Sequence, residues 1–135
     1  MHYNMRLFDY WRVTLKRDME LIRSLLLAIE ESPNDYKLDK YDGGVVRYHE
    51  ALLVEKGLVE GSISKELGGI EPPFVRIYKL TWDGHEFIDN LRDESVWNSI
   101  KSDFKEASFS TIAKVSKDLA EGLAKKKLES ILSYI

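Results

Sequence analysis

The chain contains no cysteine, which removes disulfides, thiolate metal sites and thiol nucleophiles from consideration. Proline is confined to three positions, and each marks a break: Pro33 in Ser32-Pro33-Asn34-Asp35, and the pair Pro72-Pro73. No apolar run approaches the roughly 20 residues that span a bilayer. The opening residues, interrupted by Arg6, Asp9 and Arg12, make no signal peptide. No membrane partner is expected, and a cytoplasmic protein is. Catalytic signatures are missing as well. No glycine-rich phosphate loop follows a strand, and no Ser-His-Asp set or metal-ligand spacing occurs. His85-Glu86 opens like a zinc-protease helix, but the position that needs the second histidine holds Asp89. The expectation is therefore no enzyme, no cofactor and no metal. An excess of positive charge is lacking too. Twenty Lys and Arg against 23 Asp and Glu leave a formal net charge of −3. Affinity for duplex DNA comes largely from phosphate neutralisation, so any DNA-binding face has to be a local basic patch.

What is present is ordinary globular chemistry: 135 residues, 44% of them apolar and 32% charged, enough to bury a core unaided. The organising stretch is Val45–Glu60. Val46, His49, Leu53 and Leu58 recur at three- to five-residue spacing and predict the buried stripe of a short helix. Asp42 is placed to cap it, with Gly43 and Gly44 as its first residues, and Gly57 is placed to end it in the left-handed conformation. Leu58–Ile63 and Phe74–Leu80 read as antiparallel strands, the second alternating Phe74, Arg76, Tyr78 and Leu80 with Val75, Ile77 and Lys79. Between them lies a long loop carrying Gly68-Gly69 and Pro72-Pro73. A short helix turned by glycine into a hairpin is the centre of a winged helix-turn-helix, with the helix for recognition and the hairpin as wing.

Around that centre, Leu15, Met19, Ile22, Leu26 and Ile29, widened by Leu25, predict a helix over Leu15–Glu31 capped by Thr14. Tyr36–Asp39 reads as a brief first strand of the wing sheet, which leaves little room for the usual second helix. Thr81 caps a helix over Trp82–Leu91, with Phe87 and Leu91 inward. Asp93–Phe104 is a further helix. The last uses Ile112, Val115, Leu119 and Leu123, its stripe broken at Lys125-Lys126-Lys127 and resumed by Leu128, Ile131 and Leu132. Residues 1–14 are aromatic-rich without a clean period and read as an arm, a frayed tail or an over-long gene start. The expected organisation is an arm over 1–14, a winged-helix domain over 15–92 and added C-terminal helices over 93–135. The fold class is α+β, mostly helical.

Four segments carry a resemblance. Lys16-Arg17-Asp18-Met19-Glu20-Leu21-Ile22-Arg23, Tyr48-His49 with Leu52-Leu53 and Gly57-Leu58, Leu80-Thr81-Trp82-Asp83-Gly84-His85-Glu86-Phe87, and Trp97 resemble the bacterial and phage family catalogued as domain of unknown function 2513, over about residues 15 to 128. The resemblance implies a winged-helix fold and association with phages and prophages, and supplies no activity. More loosely, Val46-Arg47-Tyr48-His49 is similar to the opening of recognition helices in ArsR-type repressors, and Tyr78–Gly84 to the strand-to-helix junction of MarR- and PadR-type regulators. Glu50 departs from the first pattern, which usually carries leucine there.

On this reading Arg47, Tyr48 and Ala51 share the outward face of the recognition helix. Arg47 is suited to the O6 and N7 of guanine, and Tyr48 to a phosphate or a thymine methyl. Lys65, Arg76 and Lys79 in the wing, and Lys16 and Arg17 at the start of the first long helix, are phosphate candidates. The bland alternative is an exposed arginine and a half-buried tyrosine on a domain that meets protein, and Glu50, Glu55, Glu66 and Glu71 favour it. The Lys125–Lys127 run sits where cations suit a helix end whatever the function. Trp97, Ile100 and Phe104, with Ile112, Val115, Leu119 and Leu123, either form a homodimer interface or fold back to enlarge the core. The expected function is a DNA-binding regulator linked to phages or mobile elements, with double-stranded DNA as partner; the alternative is a protein–protein adaptor. A single-strand or RNA binder would need aromatics on a basic sheet face, whereas Phe74 and Tyr78 read as core.

Overall fold

The computed structural model describes residues 16–64 and 72–135. The arm expected at 1–14, the cap at Thr14 and the wing-tip Lys65 lie outside the described residues. In chain order the elements are α1 (Met19–Glu31), α2 (Gly43–Lys56), β1 (Val59–Ser64), β2 (Phe74–Leu80), α3 (Trp82–Leu91), α4 (Glu94–Asp103) and α5 (Phe109–Leu132). The fold is a mostly helical α+β one with a two-stranded antiparallel sheet. It divides into two compact units, one ending at His85 and one beginning at Glu86.

In the first unit, α1 begins at Met19 rather than Leu15. Asp18 is the reason: its backbone is extended and its Oδ1 accepts the Glu20 and Leu21 N–H groups at 3.0 and 3.2 Å, which satisfies the first free donors of the helix. Met19, Leu21, Ile22, Leu25, Leu26 and Ile29 are buried, and each large aliphatic side chain so placed contributes about 1.5–3 kcal/mol. The strand expected at Tyr36–Asp39 does not form. Residues 36–38 are irregular and lie between two turns, one with Asp35 N–H donating to Ser32 O at 3.2 Å and one with Tyr41 N–H donating to Leu38 O at 3.1 Å. The sheet consists of β1 and β2.

Helix α2 is capped by Asp42, whose Oδ1 accepts Gly44 N–H at 2.9 Å. It ends at Gly57, φ 81°. Gly57 N–H donates to Val54 O at 3.1 Å and Leu58 N–H to Leu53 O at 3.0 Å, the paired closure of a Schellman motif. The chain then enters β1. At the far end of the hairpin Thr81 ties back to the same turn: its N–H donates to Leu58 O at 3.0 Å and its hydroxyl to Gly57 O at 2.6 Å. The Thr81 hydroxyl oxygen also accepts Gly84 N–H at 3.0 Å and so caps α3. Gly84 is required there, because a Cβ would stand 1.9 Å from Leu58 O. Along the hairpin, Ser64 faces Phe74, Ser62 faces Arg76 and Gly61 faces Ile77, and an irregularity at Glu60/Gly61 restores pairing as Glu60 with Lys79.

In the second unit, Phe87, Ile88 and Leu91 of α3 are buried, and the Phe87 and Phe109 rings lie 4.9 Å apart. Asp93 caps α4 by accepting Ser95 and Val96 N–H groups. Ser108 caps α5 through Thr111 N–H at 3.2 Å. Helices α4 and α5 pack on each other. α5 runs unbroken through Lys125–Lys127 for 24 residues, ~36 Å at 1.5 Å per residue. From Glu121 onward every residue of it is exposed. Among the described residues no helix is long and apolar enough to cross a membrane.

Candidate nucleic-acid interface

Helix α2 is enclosed to an unexpected degree. From Gly44 to Val54 each residue is buried or half-buried. On one side it meets the start of α1. Asp18 N–H donates to His49 Nε2 at 2.9 Å, and His49 Nδ1 lies 2.8 Å from Val45 O. A backbone N–H is always the donor, so Nε2 carries no proton and Nδ1–H donates to Val45. Burial holds the imidazole below its ordinary pKa, opposed by the Val45 carbonyl and the Asp18 charge.

On another side lies Glu50, which is buried rather than near a phosphate. It accepts the Tyr36 hydroxyl. Burial pushes the Glu50 carboxyl up, while Tyr36 and the Arg47 charge pull it back. Burial and Glu50 together push the Tyr36 phenol up. Ala51, expected on the outward face, is 5% exposed. It cannot be a surface contact. Tyr48 is half-buried, its ring edge-on to His49 at 5.4 Å.

Arg47 turns to the hairpin. Its Nε donates to Pro72 O at 3.4 Å and its guanidinium lies 4.7 Å from the centre of the Phe74 ring. Two residues along β2, Arg76 lies over Tyr78 at 5.9 Å. Phe74 and Tyr78 were expected in the core and are not: they are 55% and 50% exposed. The register explains it. Gly61, paired with the buried Ile77, is pressed towards Val54 of α2, where a Cβ would meet Val54 Cγ2 at 3.1 Å. That turns Ile77 inward and the Phe74–Arg76 parity outward. Ser62 and Ser64 share the outward face, and the Ser62 and Tyr78 hydroxyls lie 3.2 Å apart. Lys79 pairs with Glu60 at 3.3 Å.

The basic candidates therefore fall in two places. Arg76 and Lys79 lie on β2 with opposite parity, and Arg47 of α2 reaches the start of that strand at Phe74. Lys16 and Arg17, both exposed, precede the Asp18 cap that His49 holds, about 200° around α2 from Arg47. In the second unit, Trp97, Ile100 and Ile112 are 4%, 1% and 0% exposed within the chain itself. Phe104, Val115 and Leu119 are half-buried. Of the residues expected at a dimer interface, Leu123 stands exposed, and beyond it so do Leu128, Ile131 and Leu132.

The aromatic half of the hairpin surface escaped the sequence reading. An arginine midway between two aromatics of the same strand parity was the available signal, since a cation on that parity points the face to water. Among the described residues no group of three or more His, Asp or Glu could hold a metal ion.

Comparison with known proteins places the chain. The profile of the family described as "Hypothetical protein (DUF2513)" matches residues 16–110. A protein of Haemophilus influenzae, described as an uncharacterized protein, is 32% identical over 122 residues, covering 84% of this chain and 99% of the relative. No solved structure matches. The chain belongs to the DUF2513 family.

Proposed function

We propose that this DUF2513-family chain is a winged-helix DNA-binding protein, a regulator linked to phages or mobile elements, whose hairpin rather than helix α2 makes the principal contact. The observation that carries the reading is that Arg47 of α2 lies against Phe74 of β2, two residues along the strand from Arg76, which lies over Tyr78. The order α1, α2, hairpin, α3 and the likeness of Val46–His49 and Tyr78–Gly84 to ArsR-, MarR- and PadR-type regulators support it. Arg47 and Tyr48 remain the candidates for base contact at the hairpin margin, with Lys16 and Arg17 as a separate phosphate contact. Lys65 is the candidate for the wing tip. A homodimer would use Leu119, Leu123 and the exposed positions Leu128, Ile131 and Leu132.

Titration of a generic duplex at low and rising salt tests the reading. Binding at low salt that weakens steeply is expected, and Arg47→Ala or Arg76→Ala should each lower the salt slope by about 1. A second reading, an adaptor that meets protein, is favoured by the burial of Glu50 and Ala51 of α2 and the partial burial of Arg47 and Tyr48, which narrow the helix face open to a major groove. Failure to bind duplex at any salt concentration selects that reading.

A further inference from the structure

Resting on the homodimer named above, and independent of the DNA contact, we infer that the last turns of α5 form an antiparallel seam with the same turns of a second copy. Ala124, Leu128 and Ile131 are its interface residues. Helix α5 carries two apolar stripes on different sides. Along the first, Ile112 and Ser116 are buried and Leu119 is half-buried. Leu119 lines a groove there with Val96 and Ser99 of α4, the helix on which α5 packs. Leu128 follows Leu119 by nine residues, which at about 100° per residue places it on the opposite side of the helix. Ala124, Leu128 and Ile131 recur there at four- and three-residue spacing, with Leu132 beside them. That side faces away from α4, and Leu128, Ile131 and Leu132 are 53%, 53% and 55% exposed.

Alternating four- and three-residue spacing suits a two-helix seam, where each apolar side chain enters a hole on a like helix. The stripe complements itself in one sense. A two-fold axis passing between Leu128 and Ile131 sets Leu128 level with Ile131 of the second copy. It also sets Ala124 level with the second copy's Ile135, small against large. Ile135 N–H donates to Leu132 O at 3.1 Å, which carries the turn on past the helix end. The same sense keeps like charges apart. Lys125, Lys126 and Lys127 fall level with Tyr134, Ser133 and Leu132 of the second copy, and the two lysine triplets stand about 10 Å apart along the axis. A parallel pair would bring all six ammonium groups to one level, where they repel. Lys125 and Lys127 flank the stripe on its two sides. Their aliphatic stems cover apolar surface there while the ammonium groups stay in water.

The test uses the full chain, which has no cysteine of its own, so an introduced thiol reports on the seam alone. Sedimentation equilibrium should give twice the chain mass at raised concentration, falling to one chain mass in Leu128→Glu with Ile131→Glu. Circular dichroism checks that the variants fold. Leu128→Cys and Ile131→Cys, mixed before oxidation, should form the mixed disulfide. Ala124→Cys alone should not cross-link, since its two copies lie about 16 Å apart along the axis and a disulfide needs Cα atoms within about 7 Å. Cross-linking of Ala124→Cys to itself overturns the antiparallel seam. A dimer whose mass survives the double glutamate substitution also overturns it and leaves the homodimer with another interface. One chain mass at every concentration overturns both and leaves the stripe to a different protein. Titration with duplex decides the DNA reading separately.

Discussion

His49 accepts the backbone N–H of Asp18 on Nε2 at 2.9 Å, so a side chain of α2 holds the first turn of α1 by its main chain. The bond exists only for the neutral imidazole, because a protonated Nε2 has no lone pair to offer. A buried side chain thus makes the junction of two helices sensitive to protons.

Stability should fall on acidification through this contact. The folded-state pKa of His49 lies below its ordinary value, so the unfolded chain takes up the proton first. The contribution is complete above the ordinary histidine pKa of about 6.5 and is lost as pH falls through the folded value. His49→Gln keeps an acceptor but does not titrate. Urea midpoints taken between about pH 7.5 and 5.5 should drop further in the parent than in this variant, and parallel drops would refute the assignment. His49→Leu, which leaves the N–H without a partner, should cost about 1–3 kcal/mol.

Glu50 has the opposite sign. Its carboxyl is raised, chiefly by burial, so its favourable contribution is present at acid pH and lost as pH rises through the raised value. Glu50→Gln retains an acceptor for the Tyr36 hydroxyl. The variant should be more stable than the parent near neutrality, with the gap closing towards about pH 4. A gap that does not depend on pH would rule out titration of Glu50 as its source.

Asp18→Ala removes the cap of α1. Loss of about 1 kcal/mol is expected, read as a lower thermal midpoint. Asp18→Asn and Asp18→Ser should recover most of it, since each restores an oxygen for Glu20 and Leu21 N–H. Equal loss in all three variants would show that the cap is not the reason.

Gly84→Ala drives a methyl into Leu58 O, 1.9 Å away where contact distance is needed. Overpacking of this kind costs about 1–3 kcal/mol or more. Chemical denaturation measures it, and an unchanged midpoint would contradict the close approach of the two main chains.

Leu128→Glu together with Ile131→Glu should leave the thermal midpoint of a monomer unchanged, since both positions are 53% exposed. Should the chain sediment as a dimer, the same pair should reduce it to half its mass. A dimer untouched by these changes would place its interface elsewhere.

Local signals in this sequence were easy to read and distant ones were not. Asp42, Gly57 and Thr81 announce their roles because a cap or a stop is decided by the residue and its near neighbours. The burial of Glu50 depends on Tyr36, fourteen positions earlier, in a segment whose composition reads as strand. Helical spacing puts Arg47 and Ala51 on one side of α2, but spacing does not say whether that side is covered, and Ala51 is buried. Strand parity was legible in the same limited way. Phe74, Arg76 and Tyr78 belong together on sequence alone, while the direction they face is set by Gly61 against Val54 across the sheet.

The bonds from Thr81 to Gly57 and Leu58 have a practical consequence for engineering. They fasten the entrance of β1 to the residue that follows β2, so the two ends of the hairpin are held by one clasp. A hairpin grafted between relatives at that clasp has to bring with it the buried Val59 and Ile77 and the small Gly61 against which Val54 of α2 packs, or the helical frame loses part of its core.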